Sequence, residues 1–156
     1  MKSARFLFAA GMLVAAGCAH EEHAYSFTAS QPPDAVLATA QSQLQSEGTQ
    51  TTQASPTRLV TPWQSEGSEQ VVQSTQSGRW VTVENWQRYT ITAQPVDSGT
   101  KVTVREDRMT CPKNFDRWNK RYDECVSEGT VTEKGQQTIK RMGNDLQARL
   151  ATGGAG

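Results

Sequence analysis

Histidine is almost missing from this chain: His20 and His23 are the only two in 156 residues. They flank Glu21 and Glu22 close to the N-terminus, without the spacing of a helical zinc motif, and read as part of a solvated tether. A Ser-His-Asp or Cys-His site therefore has no base in the body of the chain. No G-x-S-x-G, phosphate-binding loop or dinucleotide fingerprint occurs. A surplus of positive charge is missing too: Lys plus Arg and Asp plus Glu both number 16. A mixed-sign surface of this kind gives no pull toward nucleic acid, so none is expected as a partner. Cysteine is scarce, with three residues and no C-x-x-C pair, which argues against a thiol oxidoreductase. Two cysteines without a nearby histidine also fall short of the four ligands of a structural zinc site. No metal or cofactor is expected. Neighbouring carboxylates (Glu106 with Asp107, Asp123 with Glu124) leave glycosidase-type chemistry open. Such pairs in a charge-rich segment are usually solvated, and the reading is a non-catalytic protein.

Only one long apolar run is present, and it lies at the start. Lys2 and Arg5 precede an uncharged stretch, Phe6 to Gly17. This is the pattern of a secretory signal peptide. As a helix it reaches about 18 Å, short of the ~30 Å hydrocarbon core of a bilayer. The run closes with Val14-Ala15-Ala16-Gly17-Cys18. These residues resemble the lipobox of bacterial lipoproteins, with Ala15 where leucine is commonest. The resemblance implies cleavage after Gly17, a diacylglyceryl group on the Cys18 thiol and acylation of the new amine. Ala19 in place of Asp implies sorting to the outer membrane. The alternative is an ordinary signal peptide cut at a small-residue site, with Cys18 incidental.

Residues 18–32 then read as a lipidated flexible tether, 33–150 as one folded domain and 151–156 as a frayed tail. Within the domain, Val36, Leu37, Ala40 and Leu44 form a helical stripe over 33–47, started at Pro33-Asp34 and stopped by Gly48. The period then changes to two. Arg58–Trp63 is a short strand with Pro62 at an edge or strand end. Residues 64–78 are loop-like, with a possible short strand at Val71-Val72. Residues 79–84 alternate. Residues 87–94 and 100–105 form a β-hairpin around Asp97-Ser98-Gly99. Ile139, Met142, Leu146 and Leu150 mark a second helix over 133–150, with Thr130 or Thr132 as its cap. Gly143 on that stripe allows close approach to the sheet. The expected fold class is α+β in two layers. An antiparallel sheet with one buried face carries an N-terminal and a C-terminal helix on that face, plus a stapled excursion.

With Cys18 assigned to lipid, Cys111 and Cys125 form an even pair in an oxidising compartment, and a disulfide is the default. Between them Phe115, Trp118 and Tyr122 share a helical face, with Arg117 beside them. Phe115, Arg117, Trp118 and Tyr122 are the candidate partner-binding residues, because aromatics with arginine anchor many interfaces. The plainer reading is that these aromatics pack onto the body of the domain.

The order of elements is similar to the domains of the BamC family. That order is a helix ending Leu44 to Gly48, a strand with Thr61-Pro62-Trp63, Arg88 onward, Gly99-Thr100 at a turn, Val102 and Val104, and a final helix. The family comprises lipoproteins of the outer-membrane β-barrel assembly machinery, with helix-grip-like domains. The likeness covers roughly residues 33–106 and 133–150. It implies the fold and no catalytic residue. This chain has one such domain where that family has two. The expected function is a membrane-anchored envelope lipoprotein that binds an envelope protein in outer-membrane assembly or maintenance. The alternative is a small-ligand or glycan binder using a groove between sheet and helix. Large apolar residues filling that face favour the first; an open cleft lined by Trp80, Trp86 and Tyr89 favours the second.

Overall fold

The structure, a computed structural model, describes residues 24–72, 80–112, 125–128 and 131–153. In chain order the elements are β1 (Ala24–Ala29), α1 (Pro33–Ser46), β2 (Thr52–Ser55), β3 (Arg58–Val60), β4 (Gln64–Val72), β5 (Trp80–Val96), β6 (Gly99–Pro112), β7 (Val126–Glu128) and α2 (Glu133–Gly153). Among the described residues the strands form one antiparallel sheet. Its spine is the β5–β6 hairpin, registered from Val83 opposite Pro112 to Val96 opposite Gly99. β1 and β7 share the far side of β6; β3 and β4 share the far side of β5, and β2 extends β3.

The hairpin is longer than the sequence pattern predicts. Both strands run on past Gln87 and Arg105, to Trp80 and Pro112, through stretches that mix apolar and charged residues. Gly99 has φ +132°. A side-chain carbon there would run into the backbone carbonyl of Ala29, so turn and edge strand meet only over a glycine.

Each helix ends as its residues dictate. Pro33 occupies the first turn of α1. At the other end Thr49 N donates to Leu44 O (2.8 Å) and Gly48 N to Gln45 O (3.0 Å), with Gly48 at φ +76°. That pairing is a Schellman stop. α2 is capped by Thr132, whose Oγ1 accepts from Gly135 N at 3.0 Å. It continues to Gly153, into the stretch expected to fray.

Both helices lie on one sheet face. Val36, Leu37, Ala40 and Leu44 of α1 and Ile139, Met142, Leu146 and Leu150 of α2 close over Leu59, Ile91, Ala93, Val102 and Val104. Gly143 lies against the Tyr25 ring, where any Cβ would collide.

Three expectations are corrected. The tether does not extend to residue 32: Tyr25, Phe27 and Ala29 alternate with Ser26 and Thr28 in β1, registered from Ala24 opposite Arg105 to Ala29 opposite Thr100. Residues 64–72 are not a loop but the nine-residue β4, with a register shift between Ser65 and Gly67. Its composition, rich in Gln, Ser, Glu and Gly, is poor for a strand, and pairing with β5 overrides it. Nor is only one sheet face buried: Trp86, Met109 and Cys111 form a second, smaller cluster on the opposite side with Trp63 and Cys125.

Candidate functional site

Antiparallel partners share a sheet face, so the register assigns every side chain of the hairpin. Beneath the helices the front-face sequence on β6 is Val102, Val104, Glu106, Arg108; on β5 it is Ala93, Ile91, Tyr89, Gln87. Midway along the strands the face turns from apolar to polar without leaving the interior. Glu106 and Arg108 are only 7% and 8% exposed.

Arg108 Nη2 pairs with Glu66 Oε2 at 2.9 Å. Gln87, with its amide nitrogen turned toward the carboxylates, donates to Glu106 Oε1 at 2.7 Å and to Glu66 Oε1 at 3.0 Å. The bulge in β4 carries Glu66 to this position. Above Glu106 lies the first turn of α2, and a Cβ on Gly135 would overlap the Glu106 carboxylate. Glycine at that position therefore lets the helix start sit directly on the acid, where its positive end favours negative charge.

Burial is the largest influence on Glu106 and raises its pKa above the ordinary carboxylate value. The Arg108 guanidinium works against this, Glu66 adds to it, and the Thr132 backbone lowers it. Tyr89, across the strand, is also raised, chiefly by burial, with Thr138 and Arg141 opposing and Glu106 and Glu66 adding. Chemically the cluster can hold or release a proton in a low-dielectric setting. It lies under α2 rather than in an open cleft.

The back face differs. Asp107 accepts from Arg88 Nε (3.0 Å), Arg105 Nε (2.9 Å) and the Thr90 hydroxyl (2.7 Å). The Arg88 guanidinium also stacks 4.5 Å from the centroid of the Trp63 ring. Glu106 and Asp107, adjacent in sequence, thus point to opposite sides of the sheet and make no catalytic pair. Asp123, of the other sequence pair, lies outside the described residues.

Cys111, fully buried on β6, is joined to Cys125 just before β7, with Cα atoms 4.3 Å apart. The bond anchors both ends of the intervening segment to the back-face cluster. Phe115, Arg117, Trp118 and Tyr122 lie within that segment and, like Cys18, outside the described residues. Trp80, Trp86 and Tyr89 do not come together: Trp80 is 63% exposed, Trp86 is buried on the back face, and Tyr89 packs on the front.

The cluster of Glu66, Gln87, Glu106 and Arg108 was not singled out by sequence reasoning. A signal existed: Glu106 and Arg108 continue the period of two set by Val102 and Val104, so they point toward the same covered face. No protein-family model matches the chain, and no curated protein does.

Proposed function

We propose that this protein is a non-catalytic lipoprotein of the cell envelope, anchored to the outer membrane through lipid on Cys18, whose domain binds a protein partner. The role would be that of a scaffold or accessory in outer-membrane assembly or maintenance, as the likeness to the BamC family implies. The observation that carries the choice of partner class is the filled layer between sheet and helices. Val36, Leu37, Leu44, Ile139, Met142, Leu146 and Leu150 occupy the space a ligand groove would need. A glycan cleft built on Trp80, Trp86 and Tyr89 has no common face to form on. The end of the sheet that carries the disulfide also presents large apolar groups to solvent, Trp80 at 63% and Val126 at 68% exposure. Exposed apolar groups beside a rigid staple suit protein contact. The Cys111–Cys125 bond agrees with an oxidising compartment.

The test is cross-linking in intact cells followed by purification from detergent-solubilised membranes. The lipidated protein should retain a defined envelope protein, and Trp80→Ala or Trp118→Ala should reduce its recovery. Recovery of the protein alone under all cross-linking conditions would refute a protein-binding role. Cys18→Ser should move the protein from the membrane to the soluble fraction, and unchanged partition would refute the anchor.

A further inference from the structure

β1 changes how far the domain stands from its anchor. Six residue steps separate Cys18 from Ala24, the first residue of β1. Fully extended, they span at most roughly 22 Å. A domain of this size has a radius of gyration of about 13 Å, so the tether is shorter than the domain is broad. With Cys18 in the bilayer, the surface beside Ala24 stays within that distance of it.

That face is identifiable. The Tyr25 hydroxyl donates to Asn144 Oδ1 (2.6 Å) and Gln147 Oε1 (2.9 Å), and Gln31 Nε2 donates to Leu150 O (2.6 Å). β1 and α2 therefore run side by side in the same direction. The start of β1 lies abreast of Gly143, Asn144 and Gln147, in the turn of α2 that follows Lys140 and Arg141. β1 is also an end strand of the main strand order. The solvent side of α2 carries Lys134, Lys140, Arg141 and Arg149, all exposed, against Glu133 and Asp145. α1 has no basic residue to match, only Asp34 in its first turn.

We propose that the exposed face of α2, with the outer edge of β1, docks on a bilayer surface carrying anionic phospholipid headgroups. The inference rests on lipidation of Cys18 and goes beyond it, because a lipid anchor alone does not orient a domain. The short tether narrows the search, and basic groups that come within a Debye length of the surface, about 8 Å at physiological salt, are drawn onto it.

The experiment uses the lipidated mature protein in vesicles, either of phosphatidylcholine alone or of phosphatidylcholine with phosphatidylglycerol. Flotation reports the anchor. Acylation rates at single lysines, read by mass spectrometry, report the orientation. On the anionic vesicles Lys134 and Lys140 should react about fivefold more slowly than on the neutral ones, the factor that one basic contact with an anionic surface is worth. Lys101, on the opposite sheet face, should not change. Salt should abolish the protection, and Lys140→Glu with Arg141→Glu should abolish it while the protein still floats. Equal rates at Lys134 and Lys140 on both vesicles, from protein that floats, would overturn the docking alone. Protein that fails to float would overturn the anchor and the docking with it.

Discussion

Near the turn of the central hairpin, Ile91, Ala93, Val102 and Val104 lie in an apolar cluster under two helices. A few residues further along the same strands, on the same face, stand Glu106 and Arg108, buried but charged, with Gln87 partly buried beside them. The alternation of side chains is unbroken across the boundary; only the chemistry changes. The apolar end gains stability from area removed from water. The polar end gains little that way and depends on the Gln87 amide and the Arg108–Glu66 ion pair, a helix terminus and, on the reverse side, a disulfide with two tryptophans. One end behaves as an ordinary core and the other as a positioned, condition-sensitive structure.

The largest effect that would sharpen this contrast is a cavity in the apolar end. Leu146→Ala, at a site 1% exposed, should cost roughly 2–5 kcal/mol in urea unfolding; a loss below about 1 kcal/mol would break the comparison. Next is the staple. Replacing Cys111 and Cys125 together by alanine should cost roughly 3 kcal/mol, from the loop the bond closes. The loss should fall on the back-face cluster, seen as faster hydrogen exchange at Trp86 and Met109 before Val102 and Val104. Uniform exchange at both ends would contradict the division.

A subtler separation is by pH. Burial holds the Glu106 carboxyl above its ordinary value of 4.5. The native state therefore binds its proton more tightly than the unfolded chain. That contribution is complete below the unfolded pKa and is lost as pH rises through the folded one. Glu106→Gln should flatten this part of the stability profile and leave the protein no less stable at neutral pH. A marked loss at neutral pH would mean the charge is needed where it lies. The smallest effect is at the surface: Arg88→Ala removes a stacked, ion-paired arginine and should cost about 1 kcal/mol.

The apolar end was the legible part of the sequence. Val36, Leu37, Ala40 and Leu44, and Ile139, Met142, Leu146 and Leu150, fall at helical spacing and do face the core. Gly143 was readable as a point of close approach, and the Tyr25 ring meets it. β1 was hidden by brevity: six residues with two aromatics, following a polar stretch, look like a tether until β6 supplies their hydrogen bonds. β4 was hidden because its pairing is made by backbone, which leaves little trace in side-chain pattern. The polar cluster was hidden for a different reason. Charged residues ordinarily mark a solvated face, and only the folded strands set Arg108 and Gln87 beside Glu106, under a glycine that admits α2, where its burial is tolerated.

The proposed role depends on where the mature chain begins. Intact-mass analysis of the protein extracted from membranes decides this directly. The account predicts an N-terminal Cys18 bearing a diacylglyceryl group, with residues 1–17 removed. A chain that retains Met1, or one that begins at an unmodified Cys18 or beyond it, would contradict it.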